Sequence, residues 1–119
     1  MSKFVDVYLL PIKEENIPAY KRIATDASRI FIKHGALRYR EYVAADLSVQ
    51  DVLPFPAVIT LEPGETIVYA AVEFESKSAR DEAMEKIMKD PELAAGMEGG
   101  CPFDYKRMVY GGFKILVEA

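Results

Sequence analysis

The sequence predicts an α+β fold, a four-stranded antiparallel sheet with two helices on one of its faces. Three observations carry this reading. A chain of 119 residues suits a single domain spanning 1–119. The hydrophobic period alternates between two and helical, in the order strand–helix–strand–strand–helix–strand. No repeat, low-complexity tract or linker interrupts the pattern, and its two halves echo each other.

The first strand is FVDVYLL, residues 4–10, with Val5, Val7 and Leu9 on one face and Phe4, Asp6, Tyr8 and Leu10 on the other. Residues 16–34 read as a helix. Asn16 offers a cap, Pro18 suits the first turn, and Gly35 can take the left-handed position that stops it. Ile17, Tyr20, Ile23, Ala24, Ala27, Ile30 and Phe31 recur at helical spacing as an apolar stripe, while Lys21, Arg22, Asp26, Arg29 and Lys33 fall on the wet side. LRYREYVA, residues 37–44, returns to strand character. Pro54 and Pro56 bar a central strand or helix from the next stretch. Residues 46–63 therefore read as a long ordered loop packing Phe55 and Ile59, with a short strand at 57–61.

ETIVYAAVEFE, residues 65–75, is the plainest strand, with Val68, Val72 and Phe74 on one face and Ile67, Tyr69, Ala71 and Glu73 on the other. Ser76, or alternatively Ser78, can cap a second helix over 77–89, whose buried stripe is Ala79, Ala83, Met84, Ile87 and Met88. Pro91 ends that helix, and PELAAGM can add one turn. KRMVYGGFKILV, residues 106–117, is read as the last strand, with Val109, Phe113, Ile115 and Val117 on one face. This order is the ferredoxin-like βαββαβ arrangement.

The aliphatic faces of the first, third and fourth strands can cover the helices. The opposite face then carries Phe4, Asp6, Tyr8 and Leu10, then Ile67, Tyr69, Ala71 and Glu73, then Met108, Tyr110, Gly112 and Lys114, and is too aromatic, with a few charges, for a solvated sheet. The second strand adds either Tyr39 and Glu41 or Arg38, Arg40 and Tyr42 to it. Such a composition suits an interface, and two sheets packed through it, enclosing some charged groups, make a homodimer; the alternative is a semi-apolar face covered by the 46–63 loop.

Composition excludes other classes. Fifteen basic against nineteen acidic residues, a net charge of −4, argue against nucleic acid or an anionic membrane as partner. One cysteine excludes a disulfide framework, and one histidine with one cysteine excludes the usual zinc sites. No metal motif, phosphate loop or dinucleotide fingerprint is present, so no cofactor is expected. The start, MSKFVDVYLLP, is too short and polar for a leader, and no apolar run can span a membrane, which predicts a cytoplasmic protein. Tyr110-Gly111-Gly112-Phe113 differs in order and strand from the RNA-recognition signature, so its glycines are read as admitting close backbone approach or a bend.

HGALRYREY, GETIVYAAVEFESKSARDEA, KDPEL and CPFDYKRMVYGGF follow one another in a pattern that covers essentially the whole chain. It resembles the YbaA-like family of small bacterial proteins, domain of unknown function family 1428. The resemblance implies the dimeric α+β barrel superfamily, in which ferredoxin-like subunits pair through their sheets. It brings no established activity. Superfamily relatives include cofactor-independent monooxygenases, isomerases and stress proteins, which is analogy of fold alone.

Among single residues, Tyr8, Tyr69, Tyr110, Asp6 and Glu41 are the pocket candidates, because a strand carboxylate beside phenols can orient a small ligand. Arg107 is a candidate anchor for an anionic ligand, with Asp104 as its polar partner at a rim. The bland roles are a turn-holding Asp104 and an Arg107 paired to a carboxylate. His34 ends a helix with no acid at helical spacing to orient it, Arg80 and Asp81 open the second helix, and Cys101 reads as an ordinary thiol. Two functions follow from this reading. One is a homodimeric small-molecule-binding or stress-associated protein without catalysis. The other is a cofactor-independent monooxygenase or isomerase acting on a small aromatic or carbonyl substrate.

Overall fold

In the computed structural model, which describes residues 3–119, four strands form one antiparallel sheet. β1 spans Phe4–Lys13, β2 Arg38–Val43, β3 Glu65–Phe74 and β4 Val109–Lys114, in the spatial order β2-β3-β1-β4. Helices α1 (Ile17–Lys33) and α2 (Lys77–Met88) cross between strands that are not neighbours, and a short α3 (Pro91–Gly96) follows α2. Ile30 of α1 and Ala83 and Ile87 of α2 join Val72 and Phe74 of β3 in one buried cluster, so both helices cover the same sheet face. This is the expected ferredoxin-like arrangement.

Local sequence explains the boundaries. Pro18 sits in the first turn of α1, and Gly35 beyond its end has a φ of 124°, open to glycine without strain. Asn16 caps nothing; its amide donates to the Pro102 carbonyl (3.1 Å) and ties the start of α1 to the loop before β4. The stripe and wet side of α1 fall as their spacing predicts. Ser76 Oγ accepts from the Ala79 N–H (3.0 Å) at the start of α2. Ile87 is fully buried, and Met88 is turned about 100° away into solvent, outside the expected stripe. Pro11 falls beyond Leu9, the last residue β4 pairs, where a residue lacking an N–H is tolerated.

The register decides which residues face the helices, and it corrects two strands. Residues directly opposite share a face. Phe4 lies opposite Phe74, Asp6 opposite Val72, Tyr8 opposite Ala70 and Leu10 opposite Val68. Val68, Val72 and Phe74 face the helices as expected, so Phe4, Asp6, Tyr8 and Leu10 face them too, not the open side. On β4, Tyr110 lies opposite Tyr8 and Gly112 opposite Asp6, which leaves Val109 and Phe113 on the open face, Phe113 57% exposed. Tyr39 and Glu41 of β2 face the helices, and Arg38, Arg40 and Tyr42 do not. The open face therefore holds Val5, Val7, Leu9, Tyr69, Val109 and Phe113, with Arg38, Arg40, Tyr42 and Glu73 towards the β2 edge: an apolar centre with charges on one side, which differs on β1 and β4 from the expected set.

β4 is also shorter than expected. Asp104 caps a 3₁₀ turn at Tyr105–Arg107 before it, and past Lys114 the chain leaves the ladder with Leu116 95% exposed. In the 46–63 loop a 3₁₀ turn at Phe55–Ala57 replaces the short strand; Ile59 is buried but Phe55 is half exposed. Among the described residues, no helix is long and apolar enough to cross a membrane.

Candidate functional site

Glu41 stands in the middle of β2 with its side chain under α1. Tyr39, two residues earlier on the same face, donates its hydroxyl to Glu41 Oε2 (2.6 Å). Tyr20, from the apolar stripe of α1, donates to Glu41 Oε1. Burial, and then the Glu41 charge, push the Tyr20 and Tyr39 hydroxyls far above the usual phenol range. Both remain protonated donors, and each carboxylate oxygen keeps a lone pair free.

Two cavities share Tyr20, Tyr39 and Glu41. The inner one, about 180 Å³, lies between sheet and α1, with Tyr8, Phe31, Phe103 and Met108 among its walls. Tyr20 meets Phe103 edge to face at 5.7 Å, and Phe31 meets Tyr39 in the same manner at 5.4 Å. The outer cleft, about 480 Å³, runs along α1 past Lys21, Thr25 and Ser28 to Tyr42 and Val43 on the edge strand.

A second polar group lies further along the same sheet face. Asp6, 1% exposed, accepts from Arg80 Nη1 and from the Tyr110 hydroxyl, each at 2.7 Å. Arg80 also donates to Tyr110 (2.6 Å) and lies 4.5 Å over the Phe4 ring centroid. Gly112 makes room for that ring: a Cβ there would fall inside the Phe4 van der Waals surface, the close approach its sequence position suggested. The Tyr8 and Tyr110 rings, 5.0 Å apart, join this network to the Glu41 pocket.

The seven candidates from the sequence thus divide, with Asp6 at the centre of this second network. Tyr8 and Glu41 line one cavity, and Tyr110 stacks beside Tyr8 but belongs to the Asp6–Arg80 network. Tyr69 lies on the opposite face, against Tyr42 at 5.6 Å, because it is odd in parity with Ala70 of the pocket wall. Arg107 grips Glu65 with both terminal nitrogens (2.8 and 2.7 Å) and donates to the Thr60 carbonyl (2.7 Å). That grip holds the Glu65 carboxyl below its usual range. A polar cleft of about 250 Å³ adjoins Arg107, whose terminal nitrogens already hold Glu65 and the Thr60 carbonyl. Arg107 is a clamp between the end of the long loop and the start of β4. Asp104 does not pair with it and accepts from the Lys106 N–H (3.1 Å) to hold the turn.

Sequence reasoning passed over Tyr20, Phe31, Tyr39 and Phe103 as pocket residues. The available signal was Tyr20 itself, since a tyrosine in a buried stripe needs a partner for its hydroxyl. It also left His34 without an acid. Asp90 supplies one, 2.7 Å from Nε2, from 56 residues away.

The comparisons with known proteins agree with this architecture. A family model described as "Protein of unknown function (DUF1428)" matches residues 3–105. The uncharacterised protein YbaA of Escherichia coli strain K12 is 35% identical over 116 residues, 98% of each chain. Among solved structures, a dimeric ferredoxin-like protein from an uncultured marine organism superposes with a TM-score of 0.62 over the whole of both chains, at 7% identity. A protein from Nitrosomonas europaea carrying the name of an antibiotic biosynthesis monooxygenase gives 0.60 over 97% of this chain and 91% of its own, at 12% identity. The last two are likenesses of fold alone, whereas the family match and the YbaA alignment span nearly the whole chain: it belongs to the DUF1428 family of bacterial proteins related to YbaA.

Proposed function

We propose that this chain is a one-domain, cytoplasmic, homodimeric small-molecule-binding protein that takes its ligand between α1 and the sheet, against Glu41. The supporting observation is the half-buried carboxylate held by two phenols where an inner cavity and an outer cleft share a wall. A concave, mostly apolar site with a few convergent polar groups is what a small ligand needs. The dimer reading rests on the open face. Val7 and Leu9 lie at its centre, flanked by Tyr69 (37% exposed) and Phe113, more apolar surface than a lone sheet leaves in water. The marine ferredoxin-like neighbour is itself named as dimeric. Cys101, exposed, suits a reducing compartment.

A fragment library screened by NMR tests the pocket. Hits should move the backbone signals of Ala24, Ala70 and Val72, and a screen in which no compound moves them overturns the reading. Light scattering at micromolar concentration tests the dimer. About twice 13.4 kDa is expected, falling to the monomer mass in Phe113→Glu. A wild-type monomer, or a dimer indifferent to both Phe113→Glu and Val7→Glu, removes the open face as the interface.

A second reading, a cofactor-independent monooxygenase or isomerase for a small aromatic or carbonyl substrate, draws on the fold shared with the Nitrosomonas protein and on the carboxylate beside phenols. It requires turnover of a pocket ligand with oxygen uptake or isomerised product. A bound ligand returned unchanged from aerobic incubation decides for binding alone.

A further inference from the structure

We propose that the Glu41 pocket takes a small organic cation, a compact amine or quaternary ammonium held by the carboxylate inside a cage of aromatic rings. This rests on the binding reading above and narrows its ligand. Five aromatic side chains line the inner cavity: Tyr8, Tyr20, Phe31, Tyr39 and Phe103. Aromatic faces carry negative potential and attract cations, most strongly where water is excluded. Among the described residues, Glu41 supplies the only formal charge in the lining, and no Lys, Arg or His borders the cavity. Lys21 reaches only the outer cleft, from the exposed side of α1.

The hydrogen bonds point the same way. Tyr20 and Tyr39 spend their protons on Glu41, so towards the cavity these three groups offer lone pairs alone. The upward shift of both phenols keeps them in that state. A carboxylate, enolate or phenolate entering here meets a like charge with no counter-ion. A neutral apolar guest fills the space but covers the carboxylate's free lone pairs without giving them a partner. An ammonium group meets the charge, the lone pairs and the ring faces together. The inner volume of about 180 Å³ admits a headgroup such as trimethylammonium, and the outer cleft receives its tail.

Choline and its neutral isostere 3,3-dimethylbutan-1-ol separate charge from shape. Each is titrated into the full-length protein and followed by calorimetry and by the signals of Ala70 and Val72. Choline should bind about tenfold more tightly than the isostere, and Glu41→Gln should cut that preference to the smaller part the rings supply. Phe31→Leu, which removes one ring at similar volume, should weaken choline and spare the isostere, and it serves if Glu41→Gln fails to fold. Equal binding of the two compounds, or preference for the isostere, overturns the cation assignment while leaving the pocket a ligand site. Failure of choline when neutral fragments do shift Ala70 and Val72 overturns it in the same way. If no compound of any class moves those signals, the binding reading falls and the cation assignment with it.

Discussion

Replacing Arg80 by Leu is the sharpest test of how α2 is fastened to the sheet. The guanidinium supplies buried Asp6 with a charge-assisted hydrogen bond at 2.7 Å and lies 4.5 Å over the Phe4 ring. A hydrogen bond to a charged group contributes about 1.5–3 kcal/mol. The cation–π contact, at a site with Arg80 16% exposed, adds about 0.5–1 kcal/mol. Removing Arg80 also leaves a carboxylate 1% exposed with Tyr110 as its remaining donor. The expected loss is about 3–5 kcal/mol, the range for stripping one partner from a buried pair. The exposed contact of Arg80 with Asp81 adds little, since solvent screens it. Urea unfolding at one fixed protein concentration measures the loss without interference from dimerisation. The double variant Arg80→Leu/Asp6→Asn should lose at least about 1 kcal/mol less than the two single losses added, because the stranded charge is gone. A single loss under about 1 kcal/mol, or strict additivity, refutes the buried pair as the fastener.

Two further outcomes follow from the same geometry. The hydrogen bond from His34, then the Glu92 backbone N–H and Lys33, bring the Asp90 carboxyl down to about 2 from 3.8, so its stabilisation is complete above pH 3.8 and is lost as pH falls towards 2. Asp90→Asn should lower stability near neutrality and flatten that acid limb in thermal midpoints taken across pH; an unchanged limb refutes the His34–Asp90 link. Gly112→Ala should destabilise by about 1–3 kcal/mol, because the added methyl drives Phe4 from beneath Arg80, and a substitution without cost would show that the ring has room to move.

Much of the fold was legible because local chemistry and global packing agree. The α1 stripe, the Ser76 cap and the Gly35 stop each depend on neighbours within a turn or two, which a single chain displays directly. Strand order follows from two halves that each run strand–helix–strand. The side-chain partners of the site are another matter. Glu41 and Tyr20 are 21 residues apart, Asp6 and Arg80 74, and nothing in local spacing selects those pairs from the many the composition allows. Arg107 was legible as a bidentate group but not by partner; Glu65, 42 residues away, occupies both arms.

The reversed faces of β1 and β4 have a physical cause that bears on the site. Aliphatic content predicts parity on the premise that the more aliphatic face covers the helices. That premise holds when one face is buried and the other wet. Here both faces are apolar, so aliphatic content no longer tells them apart. The useful discriminator is polarity that demands a partner. Asp6 and Glu41, with Tyr8, Tyr39 and Tyr110, carry groups that need satisfying when buried. Helices can supply such partners, as Tyr20 and Arg80 do. Val5, Val7, Leu9 and Phe113 on the open face make no such demand and suit contact with another apolar surface. Asp6, Tyr8, Tyr39, Glu41 and Tyr110 therefore lie under the helices, where the cavity is, and Val5, Val7, Leu9 and Phe113 lie outside. A one-residue change of parity moves every side chain on a strand at once. That is why Tyr8 and Glu41 come together while Tyr69, one residue from Ala70 in the pocket wall, is separated from them by the thickness of the sheet.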